Sequence, residues 1–510
     1  MLSHVYSMAL LGLDAFTIKI ETDITEALPS FTIVGLPDGA VRESRERVMS
    51  AIKNCGFEFP ARKVTINMAP ADIRKEGSAY DLPIAVGILI ASGQVHPHTD
   101  MSNTVVIGEL SLDGSIKKIT GCLPISLGTR EQGFSRILLG RENAEEASVA
   151  EGIDVVPLAN LLECVQFIEG TQNIPPCRCR IGEYFSQRER GEKDFIDVKG
   201  QEHVKRAITV AAAGNHNILM IGPPGSGKTM IARRIPSILP PLTLDESLET
   251  TKIHSVAQKL DPQRPILTTR PFRSPHHTIS YAGLTGGGSY PRPGEISLSH
   301  NGVLFLDELP EFNKNVLENL RQPLEDQQVT ISRSSLTLTY PSNFMLIAAM
   351  NPCPCGYYGD TSQRCTCTPT SIARYISKIS GPLLDRIDIH IEVPALPYEE
   401  LKQKKGTSTS QQMQQHVEHA KKIQGERFAK TSIHSNASME PQHMRTHCDM
   451  DESSSLLLKK AMEKLGLSAR AYDRIIKVSR TIADLAGSPT ISSQHVSEAI
   501  QYRTLDRRRN

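Results

Sequence analysis

The stretch Gly222, Pro223, Pro224, Gly225, Ser226, Gly227, Lys228, Thr229 constrains this chain more than any other. It follows the apolar run Asn217-Ile-Leu-Met-Ile221 and leads into Met230-Ile-Ala-Arg-Arg234, which is compatible with a helix. The spacing G-x-x-x-x-G-K-[ST] has a mechanical basis. Glycines let the backbone curl so that successive N–H groups and a helix start face the phosphates of a nucleotide. Lys228 would reach the β- and γ-phosphates of ATP, and the Thr229 hydroxyl would ligate Mg²⁺. An apolar strand before the loop and a helix after it are the context that separates a phosphate-binding loop from an ordinary turn.

A chain of 510 residues is too long for one core, and at about 150 residues per domain it divides into three or so units. Its formal charge of +1 excludes a protein that coats DNA by bulk charge, so any nucleic-acid contact must come from local loops or from assembly into a ring. The apolar piece Met8–Leu13 lacks a basic leader and is cut by Asp14 before spanning length, which predicts a cytoplasmic protein without a membrane span. In a reducing compartment, ten cysteines point to metal ligation sooner than to a disulfide framework.

Residues 1–170 alternate strand-like runs (Phe16–Ile20, Phe31–Val34, Val64–Asn67, Val105–Ile107) with helix-like ones such as Asp38–Cys55, an α/β domain of its own. Two stretches, 75–83 and 108–121, resemble the proteolytic domain of Lon-type proteases. Carried over residue by residue, the nucleophilic serine falls on Ala79 and its lysine base on Leu123, so the resemblance implies a proteolytically inactive domain. Residues 171–193 read as a linker carrying an isolated Cys177-x-Cys179.

The expected ATPase domain covers residues 194–395. Its segment 197–203 resembles the stretch before the phosphate loop that lies near the adenine in AAA+ ATPases. Gly302-Val-Leu-Phe-Leu-Asp307-Glu308 is an apolar strand ending in two carboxylates, a Walker B pattern. Asp307 would hold Mg²⁺ through water, and Glu308 would orient and deprotonate the attacking water. The run Phe344–Met350 ends in Asn351, at the place of the AAA+ sensor 1. Leu383-Leu-Asp-Arg386-Ile-Asp388 resembles the motif that carries an arginine finger into a neighbouring subunit's site, which implies a ring.

Two insertions set this ATPase apart. Residues 270–300, with Arg270, Arg273, His276, His277 and Tyr281 among glycines, suit either a mobile loop that grips a strand or partner, or a structural hairpin. Cys353-Pro-Cys355 and Cys365-Thr-Cys367, nine residues apart, fit a tetrahedral Zn²⁺ site beside the ATP site. Residues 396–510 read as a helical lid: 401–415 is polar and reads as mobile, with 402–411 lacking any apolar face, and helical periodicity returns at 455–465 and 471–485. Arg470 resembles sensor 2, which reaches from the lid to the phosphates.

The whole chain resembles the ComM/YifB family of magnesium-chelatase-like AAA+ proteins. The phosphate loop, Phe272–His277, Gly294–His300 and Leu383–Asp388 carry the likeness. It implies an N-terminal Lon-like α/β domain, a central α/β ATPase with a parallel sheet and a C-terminal helical lid. It also implies a hexameric, ATP-driven helicase that migrates branched DNA in homologous recombination during natural transformation. The alternative is a chelatase-type motor subunit remodelling a protein partner. The Lon-like domain stands against that, on the expectation that chelatase motor subunits lack one.

Overall fold

In the computed structural model, residues 1–72, 74–186, 193–261, 263–288, 290–333, 336–360, 363–396, 408–431 and 433–503 are described. The chain divides into two compact units, Met1–Gln187 with Ser247–Thr268, and Arg188–Glu246 with Thr269–Asn510. Residues 247–268 lie inside the stretch expected to form the ATPase domain, yet they pack with the first unit. Ile266 and Leu248 close over Leu123, Leu127, Val149 and Ala150, and Ser255 Oγ donates to Glu146 Oε1 at 2.5 Å.

The first unit is built on a seven-stranded sheet in the order Ser30–Val34, Lys63–Ala69, Asp14–Thr25, Leu2–Leu11, Thr104–Val106, Arg136–Gly140, Asp154–Leu158. Leu2–Leu11 and Asp14–Thr25 pair antiparallel, from Leu2 opposite Asp23 to Leu11 opposite Asp14. The apolar piece Met8–Leu13 is therefore mostly central strand. Because its neighbours are covered on both faces, polar alternation is lost there: Val5 and Ala9 enter one core and Met8 the other. Helices Gly39–Asn54 and Asp81–Ala91 cover the first face, and Cys122–Glu131 with Ala144–Ser148 the second.

Ala79 and Leu123, the two positions of the absent protease dyad, pack among apolar side chains. The neighbouring Ser78 hydroxyl donates to the Glu109 carboxylate, and the Lys75 ammonium to the Pro70 carbonyl oxygen, so neither makes a serine–lysine pair. In the expected linker, Cys177 N–H donates to Val155 O at 2.7 Å, which docks this residue on the sheet's last strand.

The second unit carries five parallel strands in the order Phe272–Arg273, Val303–Leu306, Met345–Met350, Ile218–Ile221, Ile389–Glu392. Three of them, Val303–Leu306, Met345–Met350 and Ile218–Ile221, are short apolar runs, as strands buried on both faces require. The helices Ser410–Phe428, Pro441–His447, Glu452–Leu465, Ala469–Leu485 and Ser493–Gln501 follow. They share one apolar core with the sheet: Met413, Val417, Ile475, Ile482 and Val496 belong to the same cluster as Ile218 and Met220.

Two sequence expectations are corrected in this unit. The polar stretch 401–415 lies partly outside the described residues, but from Ser410 onward it is helix. Thr409 and Gln412 form a capping box, and Met413, Val417, Ala420, Gln424 and Phe428 make a buried stripe. The stripe is carried mostly by residues beyond the window in which the polarity was read. The segment 270–300 is also not all loop, since Phe272–Arg273 is the edge strand of the parallel sheet. The hairpin Gln328–Arg333 with Leu336–Pro341 was not anticipated, although Val329, Ile331, Leu338 and Tyr340 alternate with polar residues. No helix among the described residues is long and apolar enough to cross a membrane.

Candidate nucleotide-binding site

The loop 222–229 connects strand Ile218–Ile221 to helix Lys228–Ala232, with a strand on either side in the sheet. Its glycines are required by space and by backbone. A Cβ on Gly222 would stand 2.0 Å from the Val393 carbonyl oxygen, and Gly227 has φ +89° at the start of the helix. The Lys228 ammonium donates to the carbonyl oxygens of Gly222 at 2.8 Å and Pro223 at 2.9 Å. It lies 3.3 Å from Ser226 Oγ and 3.4 Å from Asn351 Oδ1. All four partners are neutral, and burial lowers the pKa of this amine while the charge of Asp307 opposes the shift.

Thr229 Oγ1 donates to Asp307 Oδ2 at 2.6 Å, which joins the loop to the end of strand Val303–Leu306. Asp307 Oδ1 in turn accepts the Glu308 N–H at 3.0 Å. Glu308 has φ +53° and an exposed side chain. Its Oε2 lies 3.5 Å from His277 Nδ1, and the His277 ring stands 4.1 Å from that of His276, centroid to centroid. The structure thus brings Lys228, Thr229, Asp307 and Asn351 together, with Glu308 next in sequence and His277 from the 270–300 segment beside it.

The donor set fits ATP and Mg²⁺. A buried ammonium held only by neutral oxygens complements phosphate, and a hydroxyl with a carboxylate at hydrogen-bond distance supplies the hard oxygen ligands that Mg²⁺ takes.

Gln201, with φ +53°, is a positioning residue that sequence reasoning passed over. Its Nε2 donates to Ser226 O at 3.1 Å and Pro394 O at 2.9 Å, tying segment 197–203 to the loop and to the end of strand Ile389–Glu392. The only signal for it was its place inside a stretch already singled out.

Arg386 and Arg470 stand apart from this group. Arg386 is buried, pairs with Glu325 at 2.6 Å, and donates to Pro382 O at 2.7 Å. Its Nε meets no acceptor among the described residues. Arg470 is exposed at the start of helix Ala469–Leu485 and, with Arg386, holds the Glu325 carboxyl below its ordinary range; the Arg386 hydrogen bond is the larger cause. Among the described residues, Arg470 makes no hydrogen bond or ion pair with the loop 222–229. One helical turn on, Arg474 donates to Asp388 Oδ1 at 2.7 Å.

The 270–300 segment is folded more than a gripping loop would be. Arg270 donates to Pro240 O at 2.7 Å and Asn301 O at 2.8 Å and pairs with Glu246. Arg273 forms a bidentate pair with Glu295 at 2.6 and 2.7 Å. Both arginines are thus paired with acids of their own unit. The small hairpin Gly286–Gly287 with Arg292–Pro293 lies against Gln328–Pro341, where Tyr340 donates to Pro291 O at 2.8 Å. The four thiols Cys353, Cys355, Cys365 and Cys367 converge into one cluster able to hold a metal ion.

A five-stranded parallel sheet, a glycine loop after a central strand, and an acidic pair closing the adjacent region define a P-loop ATPase of the AAA+ class, fused to helices that share its core. Comparison with known proteins narrows the class. Family profiles described as "Magnesium chelatase, subunit ChlI", "Subunit ChlI of Mg-chelatase" and "Magnesium chelatase, subunit ChlI C-terminal" match residues 194–401, 20–143 and 407–503. The chain is 43% identical to Competence protein ComM of Haemophilus influenzae, over 99% of this chain and 98% of that one. It is 41% identical to YifB of Escherichia coli, again over 99% and 98%. Lon protease 2 of Bacillus subtilis is 31% identical over 29% of this chain and 28% of its own. The chain belongs to the ComM/YifB family of magnesium-chelatase-like AAA ATPases. The profile described as "Subunit ChlI of Mg-chelatase" covers residues 20–143, inside the domain expected to be Lon-like.

Proposed function

We propose that this protein is a ring-forming, ATP-driven DNA motor, a helicase that promotes branch migration of recombining DNA during natural transformation. The observation that carries the reading is the 43% identity to a competence protein along essentially the whole chain. Lys228, Gly222, Pro223, Pro224, Gly225, Ser226 and Gly227 would cradle the phosphates of ATP, and Thr229 with Asp307 would hold Mg²⁺, which neutralises charge on the phosphoryl oxygens. Glu308 orients and deprotonates the attacking water, Asn351 beside Lys228 reads the γ-phosphate, Arg386 completes the site of a neighbouring subunit, and Arg470 is the sensor 2 arginine that couples the helical lid to the phosphates. The pairing of Arg386 with Glu325, away from its own loop, favours action between subunits. We assign the assembly as a hexamer in the cytoplasm, and residues 1–170 as a proteolytically inactive domain. DNA contact then falls to exposed groups such as His276, Tyr281 and Arg292.

The second reading, a chelatase-type motor remodelling a protein partner, is favoured by the three chelatase profiles. Measuring ATP turnover of the purified protein with and without a branched DNA substrate, together with displacement of a forked duplex, separates the two. DNA stimulation with displacement supports the helicase. Turnover indifferent to DNA and an intact fork overturn it.

A further inference from the structure

Cys353, Cys355, Cys365 and Cys367 lie on the segment that leaves strand Met345–Met350 and leads to helix Pro369–Ile376. Their sulfurs all fall within 4.8 Å of one another. Cys353 Sγ is 3.3 Å from Cys355 Sγ and 3.7 Å from Cys365 Sγ, and Cys355 Sγ is 3.5 Å from Cys365 Sγ. Four thiolates at about 2.3 Å from a tetrahedral zinc ion stand about 3.8 Å apart, so these three separations need only a slight expansion to match that geometry. Two backbone amides are aimed at sulfur, Cys355 N–H to Cys367 Sγ and Cys367 N–H to Cys365 Sγ, each at 3.4 Å. Such donors suit sulfurs that carry negative charge.

The place of the cluster matters as much as its shape. Cys353 is buried and stands two residues after Asn351, whose amide oxygen reaches Lys228. Gly356, with φ +90°, lies directly against the phosphate loop. A Cβ there would stand 2.6 Å from Pro224 Cδ. On the far side, Thr368 caps the helix that starts at Pro369, through the Ser371 N–H. The cysteines therefore tie three things together: the residue after the third sheet strand, the outer wall of the loop 222–229, and the start of the next helix.

We infer that the four cysteines hold one structural Zn²⁺, and that this ion braces Asn351 and Pro224 so that the phosphate loop is pre-shaped for nucleotide. The ion takes four thiolates, each thiol losing its proton to solvent, and leaves no coordination position for chemistry. Its effect on nucleotide rests on the nucleotide-site reading above, whereas its binding does not.

The test begins with the full-length protein purified under reducing conditions. Metal analysis should find one zinc per chain. Exchange for Co²⁺ should give the intense visible bands of tetrahedral cobalt–thiolate. A Cys365→Ser/Cys367→Ser variant should lose both signals and weaken affinity for a fluorescent ATP analogue on the order of tenfold, because the competent loop is less populated. Stripping zinc from the wild-type protein with a zinc-selective chelator should weaken affinity equally, and added Zn²⁺ should restore it, which keeps the test meaningful if the variant folds poorly. Lys228→Ala should lose nucleotide and keep zinc, so the two readings fail separately. No zinc or cobalt bound under reducing conditions, iron in place of zinc, or cysteines joined as disulfides would overturn the metal assignment. Unchanged nucleotide affinity after zinc removal would overturn the brace.

Discussion

At the scale of single residues, Lys228 and Glu308 carry the sharpest expectations. The Lys228 ammonium is spread over the carbonyl oxygens of its own loop, and no carboxylate forms an ion pair with it among the described residues. Lys228→Ala should therefore remove nucleotide binding while leaving the fold intact, seen as a flat titration with a fluorescent ATP analogue and an unchanged melting profile. Glu308 sits one residue beyond Asp307, exposed and in a left-handed backbone conformation. Glu308→Gln keeps the shape and removes the base, so ATP binding should persist while turnover falls by about 10² or more in a single-turnover assay. Normal turnover in that variant would remove Glu308 from the mechanism. His277 touches this glutamate from a segment outside the loop, which gives the 270–300 stretch a direct physical line to the reacting end of the site.

At the scale of elements, one buried polar knot joins the sheet to the helices. Asp388 Oδ2 accepts from His216 Nδ1 and from the Asn217 N–H, each at 3.2 Å, and Oδ1 accepts from Arg474. His216 Nε2 lies 2.8 Å from Thr481 Oγ1 on the same helix as Arg474. Arg474 and His216 hold the Asp388 carboxyl well below the usual carboxylate range despite its burial. Asp388→Asn removes the negative charge and puts an NH2 donor where one of the two acceptor oxygens stood, in a dry setting, and the cost should be about 3–5 kcal/mol in a denaturant melt. Burial also depresses the pKa of His216, and of His447 and His495. The unfolded chain then takes up protons first as pH falls through about 6.5. Stability should be flat above that value and decline below it, with Asp388 adding a further loss below about pH 4, both read from melting temperature against pH. A melting temperature that holds steady from pH 7 to 5 would count against neutral buried histidines.

At the scale of the whole molecule, the ring reading makes each active site the joint property of two chains. Arg386 is ion-paired with Glu325 inside its own unit, so serving a neighbour requires that pair to open. Arg386→Ala and Lys228→Ala proteins should each be inactive alone. Mixed together, they should regain part of the ATP turnover, because some interfaces join an intact loop to an intact arginine. Silence of the mixture would show that Arg386 does not act between subunits.

The amino-acid order by itself determined the parts of this protein that depend on short-range geometry. Glycine spacing and a flanking apolar run specify the phosphate loop. A strand ending in Asp307-Glu308 specifies its acidic partner, and the C-x-C pairs mark out a thiol cluster able to hold a metal ion, because each of these is a local requirement for backbone shape or ligand type. Tertiary structure decided what depends on which surfaces meet. Only packing shows that residues 247–268 leave the ATPase sequence to join the first unit, and that the end of the polar stretch 401–415 runs into helix Ser410–Phe428 with its buried stripe. Only packing shows Arg270 and Arg273 bound inward to acids, Gln201 tied to the loop, and Arg386 paired with Glu325. These are partnerships between residues far apart in sequence, set by burial and charge neutralisation, and no local pattern encodes them.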